Sequence, residues 1–130
     1  MTRVLVVDDE ADVRLLLRMQ LESHGFSVAA EAADGEEALE ACRADLPDAV
    51  ILDLLMPTLN GFETIPRMRR EFPHLPIVAY TAVAGDFVRN EMSRLRIPLV
   101  LKTANFRPVE LALQRALDQQ LGDTGASGAS

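Results

Sequence analysis

"AVILDLLMPTLNG", residues 49–61, decides how the chain is read. The apolar residues Ala49 to Leu52 run straight into one acid, Asp53, and Met56 and Pro57 then begin a turn. An apolar run of that length, ended by turn signals, suits a strand covered on both faces in a parallel sheet. Asp53 then stands where such a strand leaves the core.

The same grammar repeats on both sides of that stretch. Val4 to Val7 is a short apolar strand, followed by Val13, Leu16, Leu17 and Leu21 at helical spacing, with His24 and Gly25 ending the helix. Phe26 to Ala32 reads as a second strand. Asp34 opens a second helix, "DGEEALEAC", whose first-turn acids suit the positive end of the helix dipole. Pro47 closes the loop before the central stretch. A third helix is expected from about Asn60 to Arg70, where the interior Pro66 implies a late start or a kink. Pro73 and Pro76 bracket the loop to a fourth strand, "IVAYT" at 77–81. Val88, Met92 and Leu95 mark one face of a fourth helix after Gly85 and Asp86, and Leu99 to Leu101 is a short fifth strand. Val109, Leu113, Ala116, Leu117 and Leu121 give the last helix its apolar stripe. Alternation of this kind, with doubly apolar strands, predicts an α/β fold: a doubly wound, five-stranded parallel sheet with right-handed crossovers.

The totals agree with one domain. The 130 residues are 48% hydrophobic and 25% charged, as in ordinary soluble proteins, and no apolar run approaches the ~18 residues of a membrane span. The start, "MTRVLVVDDE", is too short in its apolar part for an export signal, so a cytoplasmic protein is expected. Residues 1–121 form the expected domain; 122–130, "GDTGASGAS", have nothing apolar to repay ordering and read as a disordered tail or linker stub. A net charge of -7 opposes nonspecific binding to nucleic acid or anionic lipid. Cys42 and the methionines are expected to pack, Tyr80 to lie beneath a helix, and His24 and His74 to be solvated.

The chemistry is expected at the carboxyl ends of the strands, where open α/β sheets place their ligand crevice. Strand one ends in Asp8 and Asp9, strand three in Asp53, strand four in Thr81 and strand five in Lys102. Three carboxylates at one rim resist joint ionisation unless a cation intervenes, and oxygen ligands with waters suit Mg2+, with Mn2+ as the alternative. Lysine can pair with Asp53 or with phosphate oxygens, and a threonine hydroxyl can donate to a new oxyanion. The set suits phosphoryl transfer to a carboxylate.

The motifs "VVDDE" at 6–10, "LDLLMPTLNG" at 52–61, "YTA" at 80–82 and "LK" at 101–102 resemble those of response-regulator receiver domains of two-component signalling, over roughly residues 2–120. That resemblance implies a flavodoxin-like sheet of order 2-1-3-4-5. It implies that Asp53 is the phosphoacceptor, that Asp8 and Asp9 hold Mg2+ with Asp53 and the Leu55 carbonyl, that Thr81 is the switch hydroxyl and that Lys102 contacts the phosphoryl group. The donor would be a histidine kinase or phosphotransfer protein, docking near Leu15, Met19, Arg14 and Arg18 on the first helix. The output partner or domain is left unspecified.

Two positions depart from the family pattern. Leu99 stands where many receivers have an aromatic residue, and Thr103 where they have a proline with a cis bond before it. A cis bond before another residue costs ~2.5–4 kcal/mol, so a trans Lys102–Thr103 bond and a remodelled loop are expected. "KTANFRPVEL" also runs a little longer than usual, with Pro108 in the first turn of the last helix, and the segment from Thr81 to Lys102 is a little shorter. These changes gather on the face of helix four, strand five and helix five, so the chemistry reads as intact and the readout as altered. An interaction module independent of phosphorylation is the alternative, and a homodimer through that face is open. A phosphohydrolase of the haloacid dehalogenase type wants a second acid two residues after its nucleophile, where this chain has Leu55. Self-phosphorylation and autodephosphorylation, and no turnover of an external substrate, are therefore expected.

Overall fold

Strands and helices alternate along the chain: β1 Arg3–Val7, α1 Ala11–Ser23, β2 Ser27–Ala32, α2 Gly35–Ala44, β3 Ala49–Asp53, α3 Gly61–Glu71, β4 Ile77–Thr81, α4 Asp86–Arg94, β5 Leu99–Leu101 and α5 Arg107–Ala129. The computed structural model describes residues 1–56, 60–82, 84–103 and 105–120 in full and the backbone of 121–129. Pro57, in the expected turn, and Ala104, in the expected long loop, lie outside the described residues.

The strands pair in parallel in the order β2-β1-β3-β4-β5. Strand order therefore reverses between β1 and β3, and a crevice opens beyond their carboxyl ends. Alternation along each strand feeds two cores. Leu5, Val7, Val50, Leu52, Ile77 and Ala79 face one way, against Leu39 and Cys42 of α2, Ile65 and Met68 of α3, and Met92 of α4. Val4, Val6, Ala49, Ile51, Val78 and Tyr80 face the other way, against Leu17 and Leu21 of α1 and Val109 and Leu113 of α5. β3 and β4 are buried along their whole length because helices cover both faces, which is why their sequences are continuously apolar. Each large side chain so enclosed contributes about 1.5–3 kcal/mol.

Local chemistry fixes the helix starts near the sheet's upper edge. The Asp34 side chain accepts the Glu37 N–H at 2.9 Å, and Glu37 reaches back to the Ala33 N–H at 3.3 Å. The Asn60 side chain accepts the Glu63 N–H at 3.0 Å, which caps α3.

Some expectations need correction. Leu16 is 46% exposed, so the stripe of α1 runs through Leu17 and Leu21 with Val13 half-buried. Consecutive leucines lie about 100° apart around a helix, and the sheet takes only one of those directions. α3 starts at Gly61 rather than late, because the Asn60 cap sets its first turn. Pro66 sits on its exposed side, where water can meet the carbonyl that proline leaves unbonded. β2 begins at Ser27, although Phe26 is buried as a core residue. The backbone of α5 is helical to Ala129. The Lys102–Thr103 bond is trans, as expected. Among the described residues no helix is long and apolar enough to cross a membrane.

Candidate functional site

The parallel strands deliver their terminal polar residues to one edge. Asp8 follows β1, Asp53 ends β3, Thr81 ends β4 and Lys102 follows β5, and the first three are almost wholly buried. The Lys102 ammonium ties the set together: Nζ lies 2.7 Å from Asp8 Oδ2 and 3.2 Å from Asp53 Oδ2. Its own N–H donates to the Thr81 carbonyl at 2.7 Å, which joins the ends of β4 and β5. The Tyr80 ring centre lies 5.7 Å from the same ammonium, within reach of a cation–π attraction.

Each carboxylate is half-occupied by backbone. Asp8 Oδ1 accepts the Glu10 N–H at 2.8 Å, and Asp53 Oδ1 accepts the Leu55 N–H at 3.1 Å. Asp8 Oδ2 is buried against the Lys102 ammonium, 2.7 Å away. A carboxylate oxygen of this kind is a hard ligand of the type that Mg2+ takes. Asp8, Asp9 and Glu10 each bring a carboxylate oxygen to within 4.8 Å of the others, with Asp9 and Glu10 exposed. The expected pair Asp8 and Asp9 is thus brought together, Glu10 joins it, and Asp53 connects to it through Lys102. Leu55 meets Asp53 through its N–H.

Burial pushes the Asp53 carboxyl above its ordinary range, with the Leu55 N–H and Lys102 offsetting part of that rise and the nearby Asp8 adding to it. Burial also pulls on Lys102, downward, but contact with Asp8 and the charge of Asp53 outweigh it, so the ammonium is held more firmly than in water. Tyr80 is pushed up, chiefly by burial.

The loop after Asp53 is held at its far end by Gly61. Its N–H donates to the Leu54 carbonyl at 3.0 Å, and a Cβ there would stand 2.7 Å from both the Asp53 carbonyl oxygen and the Leu54 Cα. Only glycine lets α3 start so close to the strand end.

Sequence reasoning missed part of the support. Arg14 and Arg18 read as docking residues, yet both bind Glu31 of β2: Arg14 Nε at 3.1 Å, Arg18 Nε at 2.9 Å and Arg18 Nη2 at 2.6 Å. Arg14 Nη1 also donates to the Asp8 carbonyl at 2.7 Å. The available signal was a lone glutamate in the otherwise small and apolar "SVAAEA". The expected docking residues Leu15 and Met19 are exposed on α1. On the opposite side, Leu99 is half-buried beside the exposed Leu101 and Leu111, and these line a groove with Thr103, Arg89 and Arg115.

A family model for the response regulator receiver domain matches residues 4–105. The response regulator MprA of Mycolicibacterium vanbaalenii is 39% identical over 115 residues, 88% of this chain and 47% of that protein. MprA of Mycobacterium avium is 38% identical over the same shares. The chain thus spans about half the length of the curated relatives it matches. Among solved structures, response regulator TrrA of Thermotoga maritima, crystallised in complex with Mg2+-BeF, superposes with a TM-score of 0.80 at 32% identity, over 89% of this chain and 99% of that one. A receiver domain protein of Methanospirillum hungatei, 20% identical, shares the fold with a TM-score of 0.83 over 95% and 98% of the two chains. Matched from β1 through the loop beyond Lys102, with its polar strand ends gathered at one edge of a 2-1-3-4-5 sheet, the chain belongs to the response regulator receiver domains of two-component signalling.

Proposed function

We propose that this chain accepts a phosphoryl group on Asp53 from a histidine kinase or phosphotransfer protein, with Mg2+, and so changes the α4-β5-α5 face for a partner. The observation that carries this reading is the ion pairing of one ammonium with two buried carboxylates, Asp8 and Asp53, beside the Thr81 strand end. An Asp53 oxygen attacks phosphorus as the bond to the donor's imidazole nitrogen breaks, and that nitrogen keeps the electron pair. The Leu55 N–H holds the other Asp53 oxygen and so aims the carboxylate. Lys102 and the Thr81 hydroxyl meet the oxygens of the transferred group, where charge-assisted hydrogen bonds are strongest. Asp8 and Asp9, with Asp53 and the Leu55 carbonyl, would hold the cation, for which the grouped carboxylate oxygens of the Asp8–Glu10 loop are suited. When bound, it supplies positive charge against the phosphoryl oxygens.

The Mg2+-BeF complex of the Thermotoga relative supports this choice of ion; Mn2+ serves as a substitute. Water returns Asp53 to its free form by hydrolysis, so the chain acts as a signalling phosphoacceptor rather than as an enzyme on outside substrates. We place the receiver at residues 1–121, with 122–130 as a tail or linker stub, and the protein in the cytoplasm. The exposed Leu101 and Leu111 make the α4-β5-α5 face the site of output or self-association. The test is intact-mass spectrometry after incubation with a small phosphodonor. One phosphoryl gain is expected that needs Mg2+ and is lost in Asp53→Asn. Absence of any gain, from small donors and from kinases alike, would overturn the reading in favour of a phosphate-independent binding module.

A further inference from the structure

We propose that Arg14, itself located by Glu31, is a positioning residue for the acidic loop, fixing the backbone that aims Asp9 at the cation. The inference rests on the metal reading given above. The loop from Asp8 to Glu10 carries three acids within 4.8 Å, a strongly self-repelling arrangement. Its ends are tied by the Asp8 N–H to the Ala32 carbonyl at 3.0 Å and by the Arg14 N–H to the Glu10 carbonyl at 3.1 Å, and two further hydrogen bonds flank Asp9. On one side of Asp9, the carbonyl of the Asp8–Asp9 peptide accepts from Arg14 Nη1 at 2.7 Å; on the other, the N–H of the Asp9–Glu10 peptide donates to Asp8 Oδ1 at 2.8 Å. Both peptides flanking Asp9 are therefore pinned, and its exposed carboxylate takes its direction from them rather than from side-chain packing.

A long arginine does not find such a place unaided. Arg14 projects from the first turn of α1, and its Nε is held at 3.1 Å by Glu31. Glu31 lies on the edge strand β2, in register with Val6 of β1, and is itself clamped by Arg18 through two nitrogens. Two arginines drawing on one carboxylate keep Glu31 ionised, Arg18 chiefly. The two cations have separate tasks: Arg18 touches only Glu31 in this network, whereas Arg14 carries the link onward to Asp8. A group that orients ligands without binding the ion changes metal affinity by about 10–100-fold when removed.

The test is the Mg2+ dissociation constant of the full chain, read from the amide shifts of residues 8–10 and from fluorescence of Tyr80, the single tyrosine, which sits by Lys102. Arg14→Met is expected to weaken Mg2+ about tenfold, Glu31→Gln severalfold, and Arg14→Lys less than Arg14→Met because one donor remains. Arg18→Met should stay within about twofold of the native chain while losing comparable thermal stability. Should Arg14→Met fail to fold, Glu31→Gln decides. An affinity unchanged in Arg14→Met, or an equal loss in Arg18→Met, would make the network merely structural and overturn the inference alone. No saturable Mg2+ binding by the native chain would overturn the metal reading, and this inference with it.

Discussion

Replacing Lys102 with methionine keeps most of the side-chain volume and removes the one positive charge between Asp8 and Asp53. In the native chain Nζ lies 2.7 and 3.2 Å from oxygens of two carboxylates that are 0% and 2% exposed. Removing one partner of a buried ion pair typically costs 3–5 kcal/mol, because the remaining charge stays buried without compensation. The Lys102 side chain keeps 17% of its exposure, so water reaches the rim, and the low end, about 3 kcal/mol, applies. For a domain of this length each kcal/mol moves Tm by about 4 °C, which predicts a fall of about 12 °C at pH 8 without divalent ions. The pH dependence follows from Asp53, whose carboxyl already sits above its ordinary range through burial. Losing Lys102 raises it further. An acid with a raised folded-state pKa is destabilising above that pKa, and the penalty vanishes as pH falls below the unfolded-state value. The gap between variant and native chain should therefore be widest at pH 8 and close on acidification. Adding Asp53→Asn to Lys102→Met should recover much of the loss, as should millimolar Mg2+. Thermal unfolding followed by circular dichroism from pH 5 to 8 reads all of this. A variant within about 2 °C of native at pH 8, or a gap indifferent to pH, would refute the reasoning.

Other outcomes follow from the same contacts. Gly61→Ala pushes a methyl group to 2.7 Å from the Asp53 carbonyl and the Leu54 backbone, and overpacking of that kind costs about 1–3 kcal/mol. Calorimetry should show the loss and mass spectrometry slower phosphoryl gain; neither would change if the approach were slack. Asn60→Ala removes the cap that accepts the Glu63 N–H and should cost about 1 kcal/mol in urea unfolding. Burial holds the Cys42 thiol up at about 11, so iodoacetamide should label it slowly at pH 8 until the chain unfolds. Labelling as fast as that of a free thiol would show that α2 does not enclose it.

The fold was legible because burial on both faces leaves a plain mark on a strand. Val4–Val7, Ala49–Leu52 and Ile77–Ala79 are apolar without alternation, and each central strand meets a polar residue where it leaves the helices' cover. Those residues, Asp8, Asp53 and Thr81, are the ones the structure buries together, with Lys102 from the strand beyond. The less legible features depend on direction and distance. A run of three leucines at 15–17 offers several helix faces, and only packing selects Leu17. Arg14 and Glu31 are far apart in sequence, and an ion pair between an edge strand and a helix follows no short-range rule. The tightness at Gly61 likewise belongs to how α3 returns over β3, whereas the motif shows only a glycine in a turn.

On the proposed function, the electrostatics of the pocket would tie phosphorylation to the cation. Before transfer, one ammonium serves two buried carboxylates. Transfer would convert the Asp53 carboxylate to a mixed anhydride, removing its charge, and would bring a phosphoryl group of about -1.5 to -2. Lys102 would then be drawn to the phosphoryl oxygens, and Asp8 would lose the charge that offsets it. A divalent ion at Asp8 would answer both deficits, which would make the phosphorylated form and the metal-bound form mutually stabilising. The movement has a direct route outward. The Lys102 N–H is bonded to the Thr81 carbonyl, which would couple the ends of β4 and β5. Reversing a 1:99 equilibrium takes about 5.5 kcal/mol of differential binding, within reach of two or three charge-assisted hydrogen bonds at ~1.5–3 kcal/mol each. Leu99, paired with Ala79, has no ring to swing inward behind Thr81. β5 is a three-residue edge strand held by one neighbour, and it carries the exposed Leu101. On the proposed function, a signal leaving by this face would pass through the backbone of β5, since Leu99 supplies no aromatic side chain.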